Sequence, residues 1–152
     1  MASAFYALFW RPPPGPAKSL PVMDRSDCFE VNPNAHGERA THARFPFEAG
    51  EVVYTLRGEP SAVRCRRSIE IGPGEHLVDP YAECINHSSS PNLEIRGRVL
   101  IALQPIAAGD EVTLDYRPTE SAIAAPFQCH HTGEVIDSES CRPGRDAARA
   151  GS

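Results

Sequence analysis

The hydrophobic positions of this chain fall in short clusters of three to six residues, each closed by glycine or proline, and no window sustains a helical period. Glu51-Val52-Val53-Tyr54-Thr55-Leu56 is rich in β-branched and aromatic residues and sits between Ala49-Gly50 and Arg57-Gly58-Glu59-Pro60, which predicts a strand bounded by turns. Ser68-Ile69-Glu70-Ile71 alternates and runs into the turn Gly72-Pro73-Gly74, after which His76-Leu77-Val78 forms a short strand closed by Asp79-Pro80. Leu93 to Leu103, with Gly97 inside it, reads as a hairpin whose return strand is Val99-Leu100-Ile101-Ala102-Leu103. Glu111-Val112-Thr113-Leu114-Asp115-Tyr116 alternates polar and apolar side chains over six residues, the pattern of a half-buried strand. Near the start, an apolar stretch from Cys28 to Val31 ends at the turn signal Asn32-Pro33-Asn34. The expectation is a mostly β domain of many short strands.

One layout occurs twice. Phe47-Glu48-Ala49-Gly50-Glu51-Val52-Val53 and Ile106-Ala107-Ala108-Gly109-Asp110-Glu111-Val112 share an apolar head, an Ala-Gly turn, an acidic residue and a valine. Each is a turn feeding a strand, too short and too widely spaced to make a repeat protein.

Composition narrows the class. The 152 residues suit one domain, and 41% hydrophobic with 23% charged residues is a globular balance. Fifteen prolines and eleven glycines argue against a helix bundle. Five of the prolines lie in residues 11 to 21, which predicts an extended linker within an N-terminal extension over 1–27. The domain proper is expected over 28–120, followed by a tail over 121–152. A net charge of −5 disfavours direct nucleic-acid binding and suits a basic protein or peptide partner. Five cysteines, an odd number at irregular spacing, do not form a secreted disulfide framework, so an intracellular setting, cytoplasmic or nuclear, is expected. The apolar segment Met1 to Trp10 falls short of the ~20 residues that span a bilayer, and no membrane association is expected. Arg11 and Lys18 without an acid in the first 23 residues are compatible with organellar targeting, although no Arg-rich amphipathic helix accompanies them.

Two segments carry the candidate chemistry. Ile85-Asn86-His87-Ser88-Ser89-Ser90-Pro91-Asn92 is followed, one hairpin later, by Ile101 to Tyr116 with its Ile106-Ala107-Ala108-Gly109-Asp110-Glu111-Val112-Thr113 turn and strand leading into Asp115-Tyr116. In this order they resemble the C-terminal half of a SET domain, the fold of protein-lysine methyltransferases that use S-adenosylmethionine. His36-Gly37-Glu38-Arg39-Ala40 through Val53 is similar to the family's opening turn and strand. The resemblance implies several short sheets with a knot-like C-terminal threading. It also implies that Asn86 and His87 hold the cofactor, that Gly37 and Arg39 lie where the backbone approaches it, and that Tyr116 lines the transfer site as the catalytic hydroxyl. The function implied is methyl transfer to a lysine of a protein substrate, as in histone-lysine methyltransferases.

Four positions depart from the family pattern. Ser89 stands where a cysteine is usual, Arg39 where the second glycine of a Gly-x-Gly turn is usual, and Glu83-Cys84 where Arg-Phe is usual. The tail keeps only the outline of a zinc-binding segment: Cys129, His131 and Cys141, with His130 as an alternative, offer three nitrogen or sulfur ligands where a structural zinc site uses four. These departures motivate the alternative function, a catalytically inactive SET-fold module that binds a protein. A phosphate-binding loop is absent, since Gly72-Pro73-Gly74 lacks the Lys-Ser/Thr partner.

Overall fold

A computed structural model of the chain describes residues 27–123 and 125–141, so most of the expected N-terminal extension and the end of the tail lie outside the described residues. The strands, in chain order, are β1 (Phe29–Pro33), β2 (Arg39–Ala43), β3 (Val52–Thr55), β4 (Ile69–Gly72), β5 (Glu75–Leu77), β6 (Asn86–His87), β7 (Leu93–Arg96), β8 (Val99–Ala102), β9 (Thr113–Leu114), β10 (Phe127–Gln128) and β11 (Val135–Ile136). One 3-10 turn, Ala82–Cys84, precedes β6.

They form small sheets rather than one large one. β1–β2, β4–β5 and β10–β11 are antiparallel pairs, β3–β8–β7 is a three-stranded sheet, and β6–β9 is a parallel pair. The predicted hairpins at Gly72-Pro73-Gly74 and Gly97 are present, Gly74 and Gly97 adopting the left-handed backbone at φ 71 and 58 that such turns favour in glycine. β2, β10 and β11 are not announced by the pattern: Arg39-Ala40-Thr41-His42-Ala43 is too weakly hydrophobic to read as a strand, yet Ala40, Thr41 and Ala43 are buried.

The repeated layout has a structural meaning. Phe47 and Ile106, the two apolar heads, face each other in an antiparallel bridge, with N–H···O distances of 2.9 Å in both directions. The two turns exchange partners symmetrically: Gly50 N–H reaches Ala102 O, and Gly109 N–H reaches Ala43 O, at 2.7 Å each. The return bonds run from Ala43 N–H to Asp110 O (2.9 Å) and from Ala102 N–H to Glu51 O (3.0 Å). Within each turn the acidic side chain caps the backbone, Glu51 on Glu48 N–H and Asp110 on Ala107 N–H. A pseudo-twofold therefore relates the two halves at the centre of the domain.

The strand predicted over 111–116 is shorter than expected. Only Thr113 and Leu114 form a ladder, and Val112, Thr113 and Leu114 are all buried. Successive side chains point to opposite faces, so burial of all three means both faces are covered, while β6, Thr41 O and Asn92 hold the backbone at its edges. Of the expected threading, the parallel pairing of β6 and β9 is what the described contacts establish.

The core beneath joins the sheets through Phe29, whose ring centroid lies 5.5 Å from Tyr54 and 5.7 Å from Tyr81. Asp79 is fully buried there, accepting from Tyr54 Oη (3.0 Å) and from the backbone N–H groups of Arg57 (2.8 Å), Tyr81 (2.9 Å) and Ala82 (3.0 Å). Four donors satisfy a carboxylate that burial would otherwise penalise heavily. The buried network fixes the 3-10 turn from which Ile85, Asn86 and His87 emerge. No helix of the described residues is long and apolar enough to cross a membrane.

Candidate active site

The segment after the 3-10 turn delivers Ile85, Asn86 and His87 alongside Thr113 and Leu114, placing them beside Asp115 and Tyr116. The Tyr116 hydroxyl donates to the Ile85 carbonyl, and its ring packs edge-on against His87 (5.4 Å) and Phe127 (6.0 Å). Burial, first of all, pushes the phenol far above its ordinary pKa, with the nearby Glu120 adding in the same direction, so the hydroxyl stays protonated.

His87 is oriented by its neighbours. Its Nδ1 accepts the Tyr116 backbone N–H at 3.1 Å, which places the ring proton on Nε2, 3.4 Å from Ser89 Oγ. Burial depresses its pKa against the opposing pull of Asp115, keeping the ring neutral. His87 is thus a buried prop for Tyr116, and Phe127 closes over both rings.

Asn86 is held from two sides. Its Nδ2 donates to Glu111 Oε1 (3.0 Å) and to the Arg39 carbonyl (3.2 Å), and Asn34 Nδ2 reaches the same Glu111 oxygen (3.3 Å). The opening turn is therefore tied to the Asn-His segment through Glu111. Gly37, at φ 76, sits in that turn with open space where a Cβ would stand, and the adjoining Glu38 lines the cleft described below. Arg39 begins β2 with an exposed side chain and an ordinary backbone, since no residue other than glycine has a positive φ among the described residues. A glycine is not required there, and the departure costs no backbone strain.

The charge reversal at Glu83 is also accommodated. Its carboxylate pairs with Arg67, whose hydrogen bond holds the carboxyl below its ordinary range, and Cys84 is buried behind it. Ser89 Oγ lies 3.7 Å from Cys129 Sγ and 3.3 Å from Glu134 Oε2.

Two clefts meet at Tyr116. The larger, about 710 Å³, is lined by Glu38, Asn86, His87, Phe127 and Gln128 among others. The smaller, about 110 Å³, opens beside Arg66, Arg67 and Glu120. Arg66, Glu83, Tyr116 and Ile123 border both. The volume of the larger is that of a typical small-molecule or cofactor site, and its lining combines aromatic and amide groups with both acidic side chains and Arg66, which fits a ligand carrying a flat base and both signs of charge. S-adenosylmethionine is such a ligand, and the residues present fit it.

The zinc candidates behave differently. Among the described residues, no group that includes Cys129, His131 and Cys141 brings its ligand atoms within 4.8 Å of one another. Burial raises the Cys129 thiol, but the Thr132 side chain and the N–H groups of Ser89, Thr132 and His131 outweigh it and bring the pKa down to about 6. Cys141 is buried with its Sγ 3.8 Å from the Tyr116 carbonyl, and burial pushes its thiol up to about 11. His131 is exposed. The residues do not fit a four-ligand zinc site. Instead Arg117, bidentate on Asp115 at 2.9 and 2.6 Å, extends to Glu134 at 3.2 Å and clasps the β10–β11 hairpin to the core.

Sequence reasoning missed Glu111, Asn92, Arg117 and Phe127 as site residues. Asn92, last in the Asn-His-Ser motif, donates to the Glu111 carbonyl and accepts from Thr113 N–H, at 2.8 Å each. Its place in that motif was a usable signal. Glu111 had the same signal in the turn-and-strand motif that leads into Asp115-Tyr116, whereas Arg117 and Phe127 are decided by long-range partners.

No curated protein sequence matches the chain. Its fold is similar to that of KRYPTONITE in complex with mCHG DNA and SAH, at 25% identity and a TM-score of 0.54 over 67% of this chain and 26% of that one. It is also similar to KRYPTONITE in complex with mCHH DNA, H3(1-15) peptide and SAH, at 23% identity and a TM-score of 0.51 over 67% of this chain and 27% of that one. The chain thus spans about a quarter of those KRYPTONITE chains. The SET domain sequence model matches residues 34–117, which contain the pseudo-twofold turns, the Asn86-His87 segment and Tyr116, and the chain belongs to the SET domain family.

Proposed function

We propose that this protein is a protein-lysine N-methyltransferase that takes its methyl group from S-adenosylmethionine and acts on a lysine in a basic protein or peptide. The observation that carries this reading is the meeting of a cofactor-sized cleft and a narrow one at a half-buried tyrosine, Tyr116. Family membership and the SAH present in the KRYPTONITE structures support the cofactor class. The H3(1-15) peptide bound to KRYPTONITE supports a peptide substrate.

S-adenosylmethionine, when bound, supplies an electrophilic methyl group on a sulfonium. The chain's own residues do the positioning. Asn86, fixed by Glu111 and the Arg39 carbonyl, lines the larger cleft. Glu38 supplies negative charge to the same cleft, Glu83 being paired with Arg67, and Phe127 offers an apolar face. A neutral Tyr116 that donates to the Ile85 carbonyl keeps its oxygen lone pairs as acceptors for a lysine amine or an electron-poor methyl. A lysine in the narrow cleft leaves water, which disfavours its charged form and frees the lone pair needed for attack.

The test is transfer of labelled methyl from S-adenosylmethionine to Lys-rich peptides by the full chain. Tyr116→Phe should lower turnover at least about a hundredfold, the scale of one transition-state hydrogen-bonding group, with cofactor binding retained. Asn86→Ala should weaken cofactor binding. Unchanged methylation by both variants would remove the assignment.

A further inference from the structure

We propose that Glu70, His76 and Glu120 form a binding site for a divalent transition-metal ion, separate from the cofactor cleft, and that the ion pins the segment following Tyr116 to the β4–β5 hairpin. Glu70 and His76 are directly paired across that hairpin, so their side chains leave the same face. Glu120 arrives from the other side, with its Oε1 accepting the Glu70 backbone N–H at 2.9 Å. One ligand atom from each of the three lies within 4.8 Å of the other two.

His76 supplies the independent observation. It is only 4% exposed, and its Nδ1 has no hydrogen-bond partner. Buried polar side-chain atoms are normally satisfied, and a bare imidazole nitrogen in a ring grouped with two carboxylates is what a metal-free ligand set presents. The carboxylates retain capacity. Glu70 Oε2 is occupied by the Ser121 N–H and hydroxyl, at 2.7 Å each, and by Arg64 at 3.3 Å, while Oε1 takes only the Gly74 N–H at 3.2 Å. Glu120 uses one oxygen on the Glu70 backbone and keeps the other. Against two carboxylates Arg64 brings one positive charge, leaving the cluster short of cation.

The donor set decides the ion class. One imidazole nitrogen and two carboxylate oxygens suit Zn²⁺, Co²⁺ or Mn²⁺, whereas Ca²⁺ prefers six to eight oxygens. Occupancy reaches the functional region by a short route. Glu120 N–H bonds to the Tyr116 carbonyl at 2.8 Å, and Glu120 also lines the narrow cleft. Holding Glu120 therefore holds the wall beside Tyr116.

The experiment uses the full chain stripped with a chelator and titrated with Co²⁺, followed by absorption spectroscopy and thermal melting. One equivalent should bind, with visible d–d bands, no sulfur-to-cobalt charge-transfer band, and a rise in melting temperature. His76→Ala and Glu120→Gln should each weaken binding at least about tenfold. Glu120→Gln keeps an oxygen for the Glu70 N–H and so preserves the fold. Absence of binding to the folded protein overturns the proposal. So does binding that both variants leave unchanged, or a charge-transfer band showing that Cys129 or Cys141 holds the ion.

Discussion

Protonating His87 sets the native contacts of the site against solvent, and the structure gives the sign of the effect. In the folded protein Nδ1 accepts the Tyr116 N–H, so a proton placed there would face another proton. The ring is almost wholly buried, which further disfavours the charged form, as does Arg117, while Asp115 Oδ1 at 3.7 Å favours it. The net result is a folded-state pKa below the ordinary value of 6.5. The unfolded chain therefore binds more protons than the folded one between those two values. Stability from this group is fully present above 6.5 and is lost as the pH falls through the window beneath it. One proton gives a limiting slope of about 1.4 kcal/mol per pH unit. His87→Asn provides the reference, because its amide oxygen can accept the Tyr116 N–H without titrating. Urea unfolding of both proteins across about pH 8 to pH 5 should show a stability difference that is constant at high pH. Below 6.5 the difference should shift against the wild type on acidification. Parallel curves, or a wild type that gains on the variant in acid, would refute the assigned tautomer and burial.

Asp79→Ala should destabilise the domain by about 3–5 kcal/mol, since it strands the Tyr54 hydroxyl and three backbone N–H groups in the core, measured by equilibrium unfolding. Gly58→Ala should cost about 2 kcal/mol or more by the same assay, because φ is 112 and a Cβ would stand 2.6 Å from the Val78 carbonyl oxygen. Phe127→Ala removes edge contacts to His87 and Tyr116 and should weaken S-adenosylhomocysteine binding about five- to tenfold, read by calorimetry, with little change in fold stability.

The hairpins and the central turns were legible because glycine and proline mark them locally, and the echo at Phe47 and Ile106 proved to be a pair of turns bonded to each other. The Asn86-His87 and Tyr116 segments were legible as sequence, but the contact between them was not: His87, which lines the larger cleft, also accepts the Tyr116 N–H through a ring nitrogen, a pairing that only the fold brings about. Strand β2 escaped because burial of Ala40, Thr41 and Ala43 comes from small residues under other sheets, not from a hydrophobic pattern. The six-residue strand over 111–116 was overestimated for another reason: alternation predicts one wet face, whereas Val112, Thr113 and Leu114 are all buried and only Thr113 and Leu114 pair in a ladder. Arg39 and Glu83 read as damage to the site until their surroundings are known. Arg39 points outward, and Arg67 answers Glu83. Such compensation is set by residues far apart in sequence and cannot be read from a local motif.

The cleft bordered by Asn86 and Tyr116 is expected to bind S-adenosylmethionine. Calorimetric titration of the folded chain with S-adenosylmethionine and with S-adenosylhomocysteine tests it most directly. Saturable one-to-one binding, weakened in Asn86→Ala and retained in Tyr116→Phe, is the predicted result. A folded sample that binds neither compound would contradict it and leave a SET fold without the chemistry.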